Sequence, residues 1–159
     1  MDHLAERRGP RPRTTTTNPH VQLEQNAPPE QWSELARRAF ELADVEERPS
    51  LVSVPGARAL WLREGIPAGP REAFMAGREF AHIHPLPEGS LHLALPPDLA
   101  REAIDKGWAE QHPVARLGHI PSTIVMVYGP RDAEELQTVL TLVKKSYEYA
   151  RAAEMPDPA

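Results

Sequence analysis

Three histidines fall within eleven residues of the stretch "EFAHIHPLPEGSLHLALP", Glu79 to Pro96: His82, His84 and His92. Neutral imidazole nitrogens ligate zinc, copper, nickel or iron, and imidazole is also the side chain that moves protons most readily near neutral pH. Whether these rings act together depends on geometry. Side chains alternate across a strand, so a strand here puts His82 and His84 on one face with Phe80, and Ala81 and Ile83 on the other. In the next strand Leu91, Leu93 and Leu95 share a face, and His92 and Ala94 take the opposite one. Burying the leucines together with Ile83 fixes the parity of the pairing, because a one-residue slip sets histidines among leucines. The five-residue loop "PLPEG" satisfies that parity. It sets His82 across from His92 and His84 across from Ser90, with facing Cβ atoms about 5 Å apart. All three imidazoles then face one way.

Other residues could join them. His112 in "EQHPVA" and His119 in "LGHIP" are further imidazole ligands, and Glu88 or Glu110 could supply a carboxylate. "GWAEQHP" places Trp108, Glu110 and His112 just beyond a helix end, as a pocket wall with a Glu–His pair suited to proton transfer. The plainer readings are a core tryptophan and a half-exposed sheet face whose histidines bond to water or to a helix cap. "HIHPLPE" also fits H-x-H-x3-E, the core of the first cupin metal motif, but helices follow directly and the second histidine motif is missing. Ser90 beside His92 lacks a G-x-S-x-G elbow and an orienting acid. No Gly-rich phosphate loop follows a strand.

The elements that must position these residues can be read from periodicity. Trp32, Leu35, Ala36, Ala39 and Leu42 recur at helical spacing after Pro29, a favoured first-turn residue. "SLVSV" and "RALWLRE", parted by Pro55-Gly56, read as two short strands. "GIPAGPREAFMAG" reads as an excursion loop, a surface insertion or a lid. "PPDLAREAIDKGW" predicts a helix with Leu99, Ala100, Ala103 and Ile104 on one side and Gly107 as its stop. "STIVMVY" is rich in β-branched residues and reads as a strand. The last helix has Asp132 as its cap, Glu135 as the partner in a capping-box-like pair, and a stripe of Leu136, Val139, Leu140, Val143 and Tyr147. The order α-β-β-β-β-α-β-α predicts an α+β fold, helices packed on a mainly antiparallel sheet of about five strands.

The chain has 159 residues and 18 prolines, with 40% hydrophobic residues. That suits a single domain over residues 28–151, with a C-terminal tail over 152–159. Residues 1–27, including "RRGPRPRTTTTNP", lack apolar periodicity and read as a disordered tail dispensable for folding, or at most a basic docking arm. A net charge of −5 disfavours a nucleic-acid partner. With no cysteine, disulfides, thiolate metal sites and cysteine nucleophiles are excluded. No apolar run reaches the roughly 20 residues a membrane helix needs. The expectation is a soluble protein of a reducing cytoplasm.

Four blocks in order, "FAHIHPLPEGSLHLALP", "AREAIDKGWAEQHPVA", "VMVYGPRDAEEL" and "LVKKSYEYA", resemble the small luciferase-domain family of bacteria and fungi, many of whose members have no assigned reaction. The family pattern H-x-H-P, G-S-x-H, G-W-x-E-x-H and a final helix with S/N-Y-E is met by His82, His84, Pro85, Gly89, Ser90, His92, Gly107, Trp108, Glu110, His112, Tyr147 and Glu148. The resemblance spans about residues 48–150. The loop over residues 64–77 departs from the shorter members. What the resemblance implies is that the histidine face is a functional site.

Two functions follow as expectations. One is an enzyme that binds a small organic molecule and performs acid–base or metal-assisted, plausibly oxidative, chemistry. In it His82, His84 and His92 hold a divalent transition metal or polarise substrate, Glu110 and His112 move protons, and Ser90 and Trp108 contact substrate. The other is a non-catalytic ligand-binding or protein-interaction module, with the long last helix available as a homodimer surface.

Overall fold

The computed structural model of the chain describes residues 3–116, 118 and 120–151. His119 and the expected tail over 152–159 lie outside them. The fold is α+β, as the element order predicts. Its elements are α1 (Pro29–Phe40), β1 (Val45–Pro49), β2 (Arg58–Leu62), a 3-10 turn (Arg71–Ala73), β3 (Glu79–Ile83), β4 (Leu91–Ala94), α2 (Pro97–Asp105), β5 (Ala109–Gln111), α3 (Pro113–Arg116), β6 (Ile124–Val127) and α4 (Ala133–Ala150). The strands form one antiparallel sheet in the order β1-β2-β3-β4-β6-β5.

The hairpin register is the one the leucine parity requires. Ala81 pairs with Leu93, His82 with His92 and Ile83 with Leu91, and the His84 N–H donates to the Ser90 carbonyl at 2.8 Å. Ile83, Leu91 and Leu93 join Val125, Val127 and Ala109 in a core closed by Leu35, Ala36 and Ala39 of α1, Leu99 and Ala103 of α2, and Leu136, Val139, Leu140 and Val143 of α4. At about 25 cal/mol per Å² of apolar area removed from water, this layer supplies most of the drive to fold. Asp132 caps α4 by accepting from the Glu135 N–H at 2.9 Å. The Glu135 carboxylate reaches one residue past the cap, to the Arg131 N–H at 2.9 Å and its guanidinium.

Several expectations are corrected. The first strand is Val45–Pro49, not residues 50–54. "VEERP" pairs through its backbone as an edge strand, where charged side chains stay in water, while Leu51 and Val52 are exposed. Among the described residues the sheet has six strands, in keeping with about five; the one the periodicity does not signal is the short edge Ala109–Gln111. Phe80 does not share the histidine face. The pairing of β2 with β3 steps from Leu60–Ala81 to Trp61–Glu79, which makes Phe80 the extra residue of a β-bulge. Its ring enters the core, 6.2 Å from that of Tyr147.

Residues 3–27 correct the largest expectation. They pack on the domain rather than forming a disordered tail, with Leu4, Arg7, His20, Gln22 and Ala27 buried. Attachment is by individual hydrogen bonds. The Arg7 N–H donates to the Lys106 carbonyl at 2.9 Å, the Trp108 indole to the Ala5 carbonyl at 2.7 Å, and the Arg11 guanidinium to the Ala109 carbonyl at 2.7 Å. The Gly129 N–H donates to the Gln22 side chain at 2.9 Å. The approach there is so close that a Cβ at Gly129 would lie 2.9 Å from the Gly89 carbonyl and 3.1 Å from the Ala27 Cβ. None of this needs a periodic apolar pattern, so composition alone cannot reveal it.

Candidate functional site

One row of residues crosses the sheet on the face away from the helical core: Ala59, His82, His92, Met126 and Glu110. His84 stands beside it. All three histidines are buried, so the sheet face is not half-exposed as the plainer reading supposed. The bulge at Phe80 matters here. It shifts Glu79 onto the histidine face, where its carboxylate accepts from the His82 Nδ1–H at 2.9 Å, the Ser50 hydroxyl at 2.7 Å and the Leu51 N–H at 3.0 Å. Glu88, in the hairpin loop, accepts from the His84 Nδ1–H at 2.7 Å.

His92 and Glu110 lie on strands separated by β6, roughly 10 Å apart at the usual strand spacing, too far for direct contact. His20 fills the gap. A hairpin-like loop, closed by Leu23 N–H to Arg13 C=O at 2.9 Å and Thr15 N–H to Val21 C=O at 3.0 Å, sets its Nδ1 2.9 Å from His92 Nε2 and its Nε2 2.7 Å from the Glu110 carboxylate. Glu110 also accepts from Thr14 and Tyr128, at 2.7 and 2.8 Å. Sequence reasoning missed His20 because it lies 62 residues before the nearest of the three and in a segment with no strand or helix pattern.

Proton placement follows from the partners. Carboxylates accept, so His82 and His84 each carry hydrogen on Nδ1, and His20 on Nε2. In the neutral rings the other nitrogens are lone pairs. Two of these, His82 Nε2 and His84 Nε2, lie 3.2 and 3.3 Å from His92 Nδ1. The third, His20 Nδ1, faces His92 Nε2. A neutral His92 has one N–H, which serves only one side. Given to His20, it leaves His82 Nε2, His84 Nε2 and His92 Nδ1 as lone pairs on a common point, all within 4.8 Å of one another. Given to His82 and His84 instead, it leaves two lone pairs meeting at His20 unless a further proton is buried there. Two nitrogens on a tetrahedral ion at about 2.05 Å stand roughly 3.3 Å apart, the separation His92 Nδ1 keeps. His82 and His84 each donate to a carboxylate, and His92 faces His20, the outer partners that orient metal-binding imidazoles. The donor set therefore fits a borderline divalent ion.

The electrostatics agree. Burial pushes the His82 imidazolium pKa down against the hydrogen bond to Glu79. Burial and the neighbouring imidazoles push His92 well below the ordinary value. Burial, then His20, pushes His112 down to about 4. Burial alone would raise the pKa values of Glu88 and Glu110, but hydrogen bonds from His84 and Ser90 to the first, and from His20, Thr14 and Tyr128 to the second, outweigh it and lower both. Burial and Glu110 push the Tyr128 hydroxyl up to about 12. The result favours unprotonated His82, His92 and His112 beside ionised Glu88 and Glu110.

A cavity of about 630 Å³ opens onto the cluster. His20, His82, His84, His92 and His112 form its polar wall, and Pro19, Val52, Val54, Pro55, Met75, Ile120 and Ile124 its apolar one. Met75 brings the excursion loop into the wall. His112 sits 4.9 Å from His92 and 5.0 Å from His20, ring to ring. Ser90 and Trp108, expected to contact substrate, are not among the lining residues. The Ser90 hydroxyl donates to Glu88, and Trp108 is buried in the helical core with its indole N–H on Ala5. Glu110 meets the cluster through His20, behind the cavity wall.

The fold and site thus define an α+β domain with a histidine cluster at the base of a largely apolar cavity. Residues 77–146 match the family model described as Luciferase domain, so the resemblance carried by the sequence blocks holds over that stretch. The chain is similar to proteins named luciferase from the fungi Armillaria gallica, Armillaria mellea and Neonothopanus nambi, each 38% identical over 74 residues. The matched stretch covers 45% of this chain and 28% of each relative. No solved structure matches. Among the described residues no helix is long and apolar enough to cross a membrane.

Proposed function

We propose that the chain is a metal-dependent enzyme acting on a small, largely apolar organic molecule in the cavity. The observation that carries this reading is the convergence of three imidazole lone pairs at 3.2 and 3.3 Å around His92 Nδ1, two of the rings backed by a carboxylate and His92 by His20. His82 Nε2, His84 Nε2 and His92 Nδ1 hold the ion. A divalent ion there acts as a Lewis acid on an oxygen of substrate or water. His112, on the cavity wall and unprotonated above a pH of about 4, accepts a proton from the bound molecule. Glu110 serves through His20, fixing the orientation of His92. The apolar wall excludes water and selects a ligand by shape. Similarity to proteins named luciferases supports an enzyme over a passive module.

Metal analysis of untagged protein tests the reading. The expected result is copurified or reconstitutable divalent metal, reduced by at least one equivalent in each of His82→Ala, His84→Ala and His92→Ala with circular dichroism unchanged. Metal content near zero after reconstitution, or the same in all three variants as in wild type, overturns it.

A further inference from the structure

Resting on that reading, we propose that the cluster binds two metal ions, with the His92 ring bridging them: the second ion sits between His92 Nε2, His20 Nδ1 and His112. His92 has both ring nitrogens aimed at other imidazoles, Nδ1 at His82 and His84, and Nε2 at His20. One ligand atom each from His20, His92 and His112 lies within 4.8 Å of the others, so His92 belongs to two triads at once.

The second triad has the features of the first. His20 Nε2 donates to Glu110 at 2.7 Å, which leaves Nδ1 as a lone pair toward the site and gives the ring a carboxylate partner. Its 2.9 Å separation from His92 Nε2 is shorter than the roughly 3.3 Å that two nitrogens keep on a tetrahedral ion, so the two rings part slightly as the ion replaces the hydrogen bond. His112 closes the triad from the cavity wall. On binding, the ion takes the place of the His92 Nε2–H, whose proton leaves to solvent, and the ring becomes an imidazolate shared by both ions, roughly 6 Å apart by the bond lengths involved. The arm that carries His20 thereby becomes part of the centre. The second ion faces the cavity on the side of His112.

Zinc titration of the untagged, metal-stripped full chain against a chromophoric chelator is the test. Wild type is expected to take two equivalents, and His20→Ala and His112→Ala one each. His112→Ala keeps the test sound, because this ring lines the cavity and lies outside the apolar core cluster. His3→Gln, at an exposed histidine near Glu102, is expected to keep two. One equivalent in wild type overturns the bridged pair while leaving the first site standing. Two equivalents in His112→Ala overturn it as well, because the second ion then binds elsewhere. No binding in wild type overturns both readings.

Discussion

The two faces of the β3–β4 hairpin are built from alternate residues of the same ten-odd positions, yet they are held in different ways. On one face Ile83, Leu91 and Leu93 meet three helices through apolar contact alone. On the other, His82, His84 and His92 are equally buried, but each ring is fixed by a named partner: Glu79, Glu88 and His20. The apolar face tolerates other apolar side chains of similar volume. The polar face costs stability wherever one partner is missing, because a buried unpaired group loses its water without replacement. What the difference teaches is that the leucine layer is scaffold, whereas the histidine layer is maintained at a cost that stability does not require.

That contrast can be broken most severely by deleting residues 1–25. The truncation leaves the Trp108 indole N–H and His92 Nε2 without their partners, strips Glu110 of His20 and Thr14 while Tyr128 remains, and uncovers the apolar surface under Leu4. At about 1–3 kcal/mol for each buried group left unpaired, the expected loss exceeds about 4 kcal/mol in urea denaturation, or the protein fails to fold. A melting midpoint within about 2 °C of wild type would show that the arm is idle. Next in size, Leu93→Ala is expected to cost about 2–5 kcal/mol as a large-to-small change in the core, measured on the metal-free protein.

Glu79→Ala should cost less, about 1–3 kcal/mol. It should also weaken zinc binding by roughly ten- to a hundred-fold, because His82 loses the group that orients it. An unchanged zinc affinity would separate the carboxylate from the site.

The last effect is on pH. His82 and His92 have folded pKa values below the unfolded value of about 6.5. Below that pH the unfolded chain takes up protons that the folded one does not. Stability of the metal-free protein is therefore present above about pH 6.5 and falls as pH is lowered toward 5, with a slope of up to about 1.4 kcal/mol per pH unit for each ring. A flat profile over that range would place the rings in water.

The sequence exposed the parts of the molecule that repeat. The period-2 leucines fixed the register of β3 with β4, and the helical stripes placed α1, α2 and α4. It concealed what depends on single contacts. "VEERP" looks too polar for a strand, but an edge strand needs only backbone pairing. "SLVSV" looks like a strand, but Val52 and Val54 line the cavity instead. The bulge at Phe80 inverts one residue of the alternation, which moves Glu79 beside His82 and Phe80 into the core. His20 had no local signal, because its role arises only when a loop folds back over strands more than sixty residues away.

The most direct test compares the two faces in one assay: the thermal shift produced by a fixed excess of zinc in metal-stripped wild type, Leu93→Ala, His82→Ala, His84→Ala and His92→Ala. Binding to the folded state alone raises the midpoint. Leu93→Ala is predicted to start lower and keep the wild-type shift, His92→Ala to lose most of it, and His82→Ala and His84→Ala to lose a large part of it. A shift retained in all three histidine variants, or lost equally in Leu93→Ala, would contradict the account.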